Sequence, residues 1–233
     1  MSLASTKISI IIPALNEAEA LAQHLPSLQS YRERGHEIIL VDGGSHDRTL
    51  AVARPLVDRF IQTVKGRAHQ MNEGADVAKN DILLFLHADT ALPDLADNLI
   101  LQALASDQHL WGRFNVSLSS EKFIFKVVSA AINLRSAISG IATGDQAIFV
   151  KKPIFEDVGL FDRIPLMEDV ALSKKLLKVG RPCCLKETVR TSSRRWEKNG
   201  VWKTIFLMWR LRLAYFFGAR PEKLVEQYYP DSK

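Results

Sequence analysis

Ile82-Leu83-Leu84-Phe85-Leu86 is an unbroken apolar run, and it flows directly into the polar tip His87-Ala88-Asp89-Thr90. A run this short, with no polar alternation, suits a strand buried on both faces, as in the middle of a parallel sheet. If strand geometry persists through the tip, the two-residue repeat sets His87 and Asp89 on one face. Open α/β sheets bind ligands just beyond the carboxyl ends of their strands, so the tip is where a functional carboxylate would stand. Asp89 there can hold a hard divalent cation against a diphosphate. It can equally cap a helix, as Asp often does. The rest of the chain has to decide.

Matching runs precede it. Ile8 to Pro13 is a β-branched strand stopped by proline. Asn16, with Glu19 three residues on, reads as the N-cap of a helix running to about Arg34-Gly35. Glu37 to Val41 is a second buried strand, ending at Asp42-Gly43-Gly44-Ser45. A helix from about Asp47 to Leu56 leads to a weaker strand, Arg59 to Val64, and Lys65-Gly66-Arg67 opens a helix to Ala78. Strand and helix alternating at this spacing predict βαβ units and a parallel sheet.

Beyond Asp89 the pattern loosens. Trp111 to Leu118 and Gln146 to Val150 read as strands, Phe123 to Ile138 as a helix, with a helical turn after Pro153. Glu168 to Val179 is an amphipathic helix closed by Gly180, and Pro182 to Arg190 supplies an edge strand. There is no repeat, low-complexity segment or linker. At 233 residues the chain can bury a full core as one domain. The expectation is an α/β fold: a single domain with a Rossmann-like, mostly parallel central sheet, flanking helices and a helical C-terminal extension.

The charge balance narrows the partners. Lys and Arg number 31 against 26 Asp and Glu, a net charge of +5, which favours phosphates, acidic lipid or nucleic acid. No RNA-binding signature with interleaved aromatics accompanies the charge, so nucleic acid is not expected. The two cysteines, Cys183 and Cys184, are adjacent and have neither loop-closing nor metal-site spacing, so a reduced, cytoplasmic protein is expected. Met1 to Lys7 is short and polar, without the pattern of a signal peptide.

Polar residues fall after each strand in turn: Pro13, Asn16 and Glu17; Asp42; Gly66 and Arg67; His87 and Asp89. One edge of the sheet should gather all four sets. Neither GxxxxGK(S/T) nor a GxGxxG after the first strand is present, which excludes a P-loop and argues against a dinucleotide site.

Four stretches together resemble family 2 of the nucleotide-sugar glycosyltransferases, which have the GT-A fold. They are Ile10-Ile11-Ile12-Pro13-Ala14-Leu15-Asn16-Glu17, Val41-Asp42-Gly43-Gly44-Ser45-His46-Asp47-Arg48-Thr49, Phe85-Leu86-His87-Ala88-Asp89 and Met167-Glu168-Asp169-Val170-Ala171-Leu172. The likeness covers Ile8 to about Val179 in the family's order and spacing, and Ser193-Arg194-Arg195-Trp196 extends it. Lys65-Gly66-Arg67-Ala68-His69-Gln70-Met71-Asn72, Thr143-Gly144-Asp145-Gln146 and Arg194-Arg195-Trp196 are similar to a bacterial subfamily associated with radical-SAM proteins and arsenosugar synthesis.

The resemblance implies a metal-dependent, inverting glycosyltransferase that uses a nucleoside-diphosphate sugar, a UDP-sugar being the expected donor, with Mg2+ or Mn2+. It divides the chain into a nucleotide-binding half (8–90), an acceptor half (91–195) and C-terminal helices (196–233). Pro13, Asn16, Glu17 and Asp42 would line the nucleoside pocket, Asp42 on the base, with Gly66 and Arg67 near the base or diphosphate. Asp89 would bind the metal. His87 stands where the family usually has a first Asp, and would hydrogen-bond ribose or phosphate. Arg194, Arg195 and Trp196 would clamp the diphosphate and stack on the donor. Gly144, Asp145 and Gln146 would face the acceptor. Asp169 would be the general base, with Glu168 orienting the acceptor. Taken without the family, that pair is an acidic first turn placed for the helix dipole. A non-catalytic nucleotide-sugar or membrane-surface binding module of the same fold is the alternative function. A nucleotidyltransferase would need a Gly-rich, basic first loop that is missing.

Trp202, Ile205, Phe206, Trp209, Leu213, Phe216 and Phe217 recur at helical spacing, with Lys203, Arg210 and Arg212 among them. Such a stripe usually packs on its own domain or on a partner subunit. A homodimer through 201–218 and peripheral contact with the inner membrane face are its outward-facing alternatives.

Overall fold

The computed structural model describes residues 6–106 and 108–228. The leader-free reading of Met1 to Lys7 therefore lies largely outside the described residues, as do the last five residues of the expected C-terminal helices.

The first half alternates as the sequence predicts: β1 (Ile8–Ala14), α1 (Ala18–His24), α2 (Gln29–Glu33), β2 (Glu37–Asp42), α3 (Thr49–Ala53), β3 (Arg59–Gln62), α4 (Arg67–Val77) and β4 (Ile82–Phe85). β1 pairs in parallel with β2 on one side and β4 on the other, and β3 lies parallel outside β2. Every residue of β2 and β4 is buried. Alternate side chains feed two cores. Ile10, Ile12, Ile38, Leu40 and Leu84 pack on one side of the sheet, and Ile11, Ile39, Val41, Leu83 and Phe85 on the other. A strand buried on both faces shows an apolar run in place of polar alternation, broken here only near the strand ends by Ser9, Glu37 and Asp42, which is why these runs were legible.

The second half adds β5 (Thr90–Ala91), α5 (Ala96–Ala103), β6 (Trp111–Leu118), α6 (Phe123–Ser139), β7 (Phe149–Lys151), α7 (Lys152–Asp157), α8 (Glu168–Leu176), β8 (Cys183–Thr191), α9 (Arg194–Asn199), α10 (Val201–Phe216) and α11 (Pro221–Tyr228). The sheet runs β3-β2-β1-β4-β7-β6-β8-β5 among the described residues. β7 is antiparallel to both β4 and β6, β8 is parallel to β6, and β5 is antiparallel to β8. The result is an α/β domain with a mostly parallel sheet and helices on both faces.

Four expectations need correction. The helix expected from Asn16 to Arg34 is two short helices separated by a 3₁₀ turn at Leu25–Leu28, where Pro26 lacks the N–H a continuous α-helix needs. The strand expected from Gln146 begins only at Phe149, because Gly144–Gln146 is a 3₁₀ turn and Ala147 adopts φ 47°. The strand before Asp89 stops at Phe85, so His87 and Asp89 do not share a strand face. β8 is not the edge strand, since the two-residue β5 pairs outside it.

The C-terminal helices lean on the site. Leu211 of α10 and Leu224 of α11 pack with Leu166, Met167 and Val170 at the start of α8. Trp196, Val201 and Ile205 pack against Leu118, Phe125 and Val128 of β6 and α6.

Candidate active site

Loops after β1 and β2 are stitched together by side chains. Asp42 is 1% exposed, and its Oδ2 accepts from the backbone N–H groups of Gly44 (3.0 Å) and Ser45 (2.9 Å) while Oδ1 accepts from the Ser45 hydroxyl. Closing this turn is what the structure shows Asp42 doing. The Ser45 hydroxyl in turn accepts from Asn16 N (2.7 Å), and Asn16 Oδ1 accepts from His46 N (2.9 Å). Asn16 is thus not the expected N-cap: its backbone is left-handed at φ 55°, a region Asn tolerates, and its side chain is spent across the two loops. Thr49 Oγ1 and Asp47 Oδ2 take the N–H groups of Glu17 (2.9 Å) and Ala18 (3.1 Å) at the start of α1.

Gln70 of α4 is a residue the sequence did not single out. Its Nε2 donates to Ala14 O (2.7 Å) and Val41 O (2.8 Å), binding the ends of β1 and β2 to each other. Gly43 leaves room for it, since a Cβ there would stand 3.2 Å from the Gln70 amide. The signal available was a glutamine on the inward face of α4.

Next to this edge lies a cleft of ≈ 210 Å³. Arg67, His87 and Asp89 line it together with Gly144, Asp145, Glu168 and Asp169, and Arg195, Trp196, Thr204, Met208, Arg212 and Tyr228 add the C-terminal wall. Met167, at φ 70°, turns the chain sharply into α8, so that Glu168 and Asp169 open the helix at the cleft. Asp169 Oδ2 accepts from Gly144 N at 2.9 Å, which fixes the carboxylate against the neighbouring loop. Glu168 is buried, with Oε1 3.5 Å from Arg67 Nη1. Burial pushes its carboxyl above the usual range, Arg67 draws it back down and Asp169 pushes it up again.

His87 is the unusual neighbour. Its Nε2 is closed off from water with no hydrogen-bond partner among the described residues, although the residue as a whole keeps an exposed edge. Burial, and after it the Arg67 charge, push the imidazole down to about 3, so the ring is neutral at physiological pH. Gly144 packs against it so closely that a Cβ would stand 2.5 Å from Nε2. After His87 the chain turns (Thr90 N to His87 O, 3.1 Å) and is pinned to β8 by Thr90 Oγ1 donating to Thr191 Oγ1 at 2.9 Å. This places Asp89 near Glu17. Burial raises the Glu17 carboxyl, and the charge of Asp89 raises it further.

The structure therefore brings nine expected residues into one cleft: Arg67, His87, Asp89, Gly144, Asp145, Glu168, Asp169, Arg195 and Trp196. Pro13, Asn16, Glu17, Asp42, Gly66 and Arg194 are not in its lining. Arg194 lies 3.9 Å from Glu17 and 3.7 Å from Glu19, so α9 reaches back to α1. Gln146 also lies outside the lining: it is fully buried, its Oε1 accepts from Thr143 N (3.2 Å) and Thr143 Oγ1 (3.3 Å), and it closes a capping box. Arg195 is already engaged, donating to Tyr228 O at 2.7 Å with its guanidinium 3.5 Å over the Tyr228 ring. Asp145 Oδ1 is closed off without a partner among the described residues, and burial raises its carboxyl. Sequence reasoning missed Thr204, Met208 and Arg212 of α10. Their four-residue spacing was readable, but the apolar stripe on the same helix drew the reading away.

No three His, Cys, Asp or Glu side chains gather as a metal cage among the described residues. Asp89 offers one hard oxygen donor in the cleft beside the neutral ring of His87. That donor set fits a divalent cation whose other ligands are diphosphate and water.

The model for glycosyl transferase family 2 matches residues 9–152. A PGL/p-HBAD biosynthesis glycosyltransferase of Mycobacterium bovis is 33% identical over 172 residues, which are 69% of this chain and 65% of that protein, so the chain spans just under two thirds of that relative's length. Among solved structures, the mannosyltransferase PcManGT from Pyrobaculum calidifontis, in complex with GDP-Man and Mn2+, superposes with a TM-score of 0.63 at 21% identity, over 91% of this chain and 62% of that one. S. aureus TarS 1-349 in complex with UDP gives 0.65 at 17% identity, over 80% and 60%.

Proposed function

The chain belongs to glycosyl transferase family 2, and on that premise we propose that it moves a sugar from a nucleoside diphosphate to an acceptor hydroxyl, with inversion at the anomeric carbon. The observation that carries this is the fixed carboxylate of Asp169, held by Gly144 N at 2.9 Å in the same cleft as Asp89 and Arg67. As the acceptor oxygen attacks the anomeric carbon, Asp169 takes the hydroxyl proton. The bond to the diphosphate breaks on the far side of the sugar, and its electron pair leaves with the phosphate. Arg67 is oriented by buried Glu168 and offers N–H donors to the diphosphate. Neutral His87 lines the cleft beside Arg67, and its exposed ring edge is the part proposed to pair with a ribose or phosphate group.

Asp89 would hold Mg2+ or Mn2+ together with diphosphate oxygens, and the cation when bound offsets charge on the leaving group. The crowding of Asp89 and Glu17, which helps to raise the Glu17 carboxyl, supports a cation at this edge. A UDP-sugar is proposed as donor because the remaining Oδ1 lone pair of Asp42 can accept the ring N–H of uracil. The affinity to the radical-SAM and arsenosugar-associated subfamily rests on Lys65 to Asn72, Thr143 to Gln146 and Arg194 to Trp196.

The test is release of free nucleoside diphosphate from a panel of UDP- and GDP-sugars, with Mn2+ or with chelator, by the native protein, Asp89→Ala and Asp169→Asn. Metal-dependent release from one donor, lost in Asp89→Ala, is expected. Tight nucleotide binding without any release from any donor would make the protein a binding module.

A further inference from the structure

α6 and α10 pack side by side through Ile124, Phe125 and Val128 against Val201 and Ile205. Each also turns an apolar stripe to solvent. On α10, Trp202, Phe206, Trp209, Leu213 and Phe216 follow one another at helical spacing and are 65%, 69%, 73%, 59% and 72% exposed. On α6, Phe123, Val127, Leu134 and Ile138 are likewise exposed. Large side chains left in water along two adjoining helices mark a partner surface.

Charge identifies the partner. Lys126, Lys203 and Arg210 are exposed on these helices, and neither Phe123–Ser139 nor Val201–Phe216 contains an Asp or Glu. A second copy across a two-fold axis would set this surface against itself, bringing the cations of the two helices together with no acid on either helix to pair them. A bilayer supplies both missing complements: acyl chains for the Trp and Phe rings, and headgroup phosphates for Lys and Arg. No helix among the described residues is long and apolar enough to cross a membrane, so α10 could only lie along one.

We propose that the outer face of α6 and α10 docks on an anionic lipid bilayer, with α10 in the plane of the headgroups. Thr204, Met208 and Arg212, on the other side of α10, line the cleft. Docking therefore holds the cleft about one helix diameter, ~10 Å, from the headgroups.

The experiment is flotation with vesicles of phosphatidylcholine mixed with phosphatidylglycerol, and of phosphatidylcholine alone. It is run on the native protein, Phe206→Ser/Trp209→Ser and Lys126→Glu/Lys203→Glu, with sedimentation and thermal melting of each. The native protein should float with the anionic vesicles and lose that binding in high salt, and acyl-brominated lipid should quench its Trp emission. Both variants should bind at least about tenfold more weakly at unchanged melting temperature, given the joint apolar and electrostatic origin of such binding. A monomer that binds neither vesicle overturns the proposal. So does a native dimer that the Phe206→Ser/Trp209→Ser variant dissolves without any vesicle binding, which would make the face an interface between copies. Equal binding to both vesicles overturns the choice of an anionic surface.

Discussion

Gly144 N holds the Asp169 carboxylate still, and under the proposed mechanism that hydrogen bond would serve the chemistry too, since a base is useful only when held. Asp169→Asn keeps the shape and loses the proton acceptor. Steady-state kinetics should show at least ~100-fold lower turnover with donor KM nearly unchanged, because the base acts only in the transition state. Unchanged turnover would put the base elsewhere. Gly144→Ala tests the contact behind it. Its methyl would need space 2.5 Å from His87 Nε2, so one of the two loops must shift, at a cost of about 1–3 kcal/mol by analogy with overpacked cores. A lower melting temperature and reduced turnover should appear together; a variant with native melting and native turnover would mean the loops part freely. His87 also links stability to acidity. Its folded pKa, about 3, lies below the ordinary histidine value of ~6.5, so the unfolded chain binds the proton first. The contribution is fully present above pH ~6.5 and drains away as pH falls towards 3. Melting temperature should therefore drop between about pH 7 and about pH 5, and His87→Gln should flatten that drop. An identical slope in the variant would assign the acid sensitivity to other groups.

Among the elements, α4 does more than cover the sheet. Through Gln70 it supplies a donor to the carbonyls that end β1 and β2, beside the turn that Asp42 closes. Gln70→Leu fills the space but withdraws both donors; Ala14 O keeps its bond from Gly43 N at 2.9 Å, so the expected cost is about 1–3 kcal/mol in all, mainly from the Val41 carbonyl. At ~2–4 °C per kcal/mol for a chain of this size, calorimetry should record a fall of several degrees. A variant that melts like the native protein would mean water replaces the amide. β1, β2 and β4 were readable because each is a nearly unbroken buried run, whereas β3 is only half-buried and showed as the weaker strand. β7 and β8 were less so. A three-residue strand between two antiparallel partners carries little pattern, and β8 exposes Lys186, Glu187 and Thr188 in its middle.

For the molecule as a whole, the cleft is assembled from both halves and the C-terminal helices, so ligand binding should tie all three together. UDP with Mn2+ at a hundred times its dissociation constant should stabilise the native protein by about 2.7 kcal/mol, or roughly 5–10 °C. Asp89→Ala should lose the metal-dependent part of that shift and keep its own unliganded melting temperature. An equal shift with and without Mn2+ in both proteins would remove Asp89 from the metal.

The sequence by itself determined the parallel βαβ half, because hydrophobic runs and strand-end polar residues are local patterns. It also singled out two carboxylates that the structure brings into the cleft, Asp89 after β4 and Asp169 at the head of α8. Only tertiary structure decided what the polar residues are used for. Asn16 looked like a cap and became a stitch to His46; Gln146, expected to face the acceptor, is a buried bracket on Thr143; Arg195, expected at the diphosphate, lines the cleft and also donates to Tyr228 O. Each outcome depends on a hydrogen-bond partner supplied by another segment or by a turn the sequence did not show. Polar side chains are satisfied by whatever donor or acceptor the fold brings within about 3 Å, and local pattern does not encode that distance.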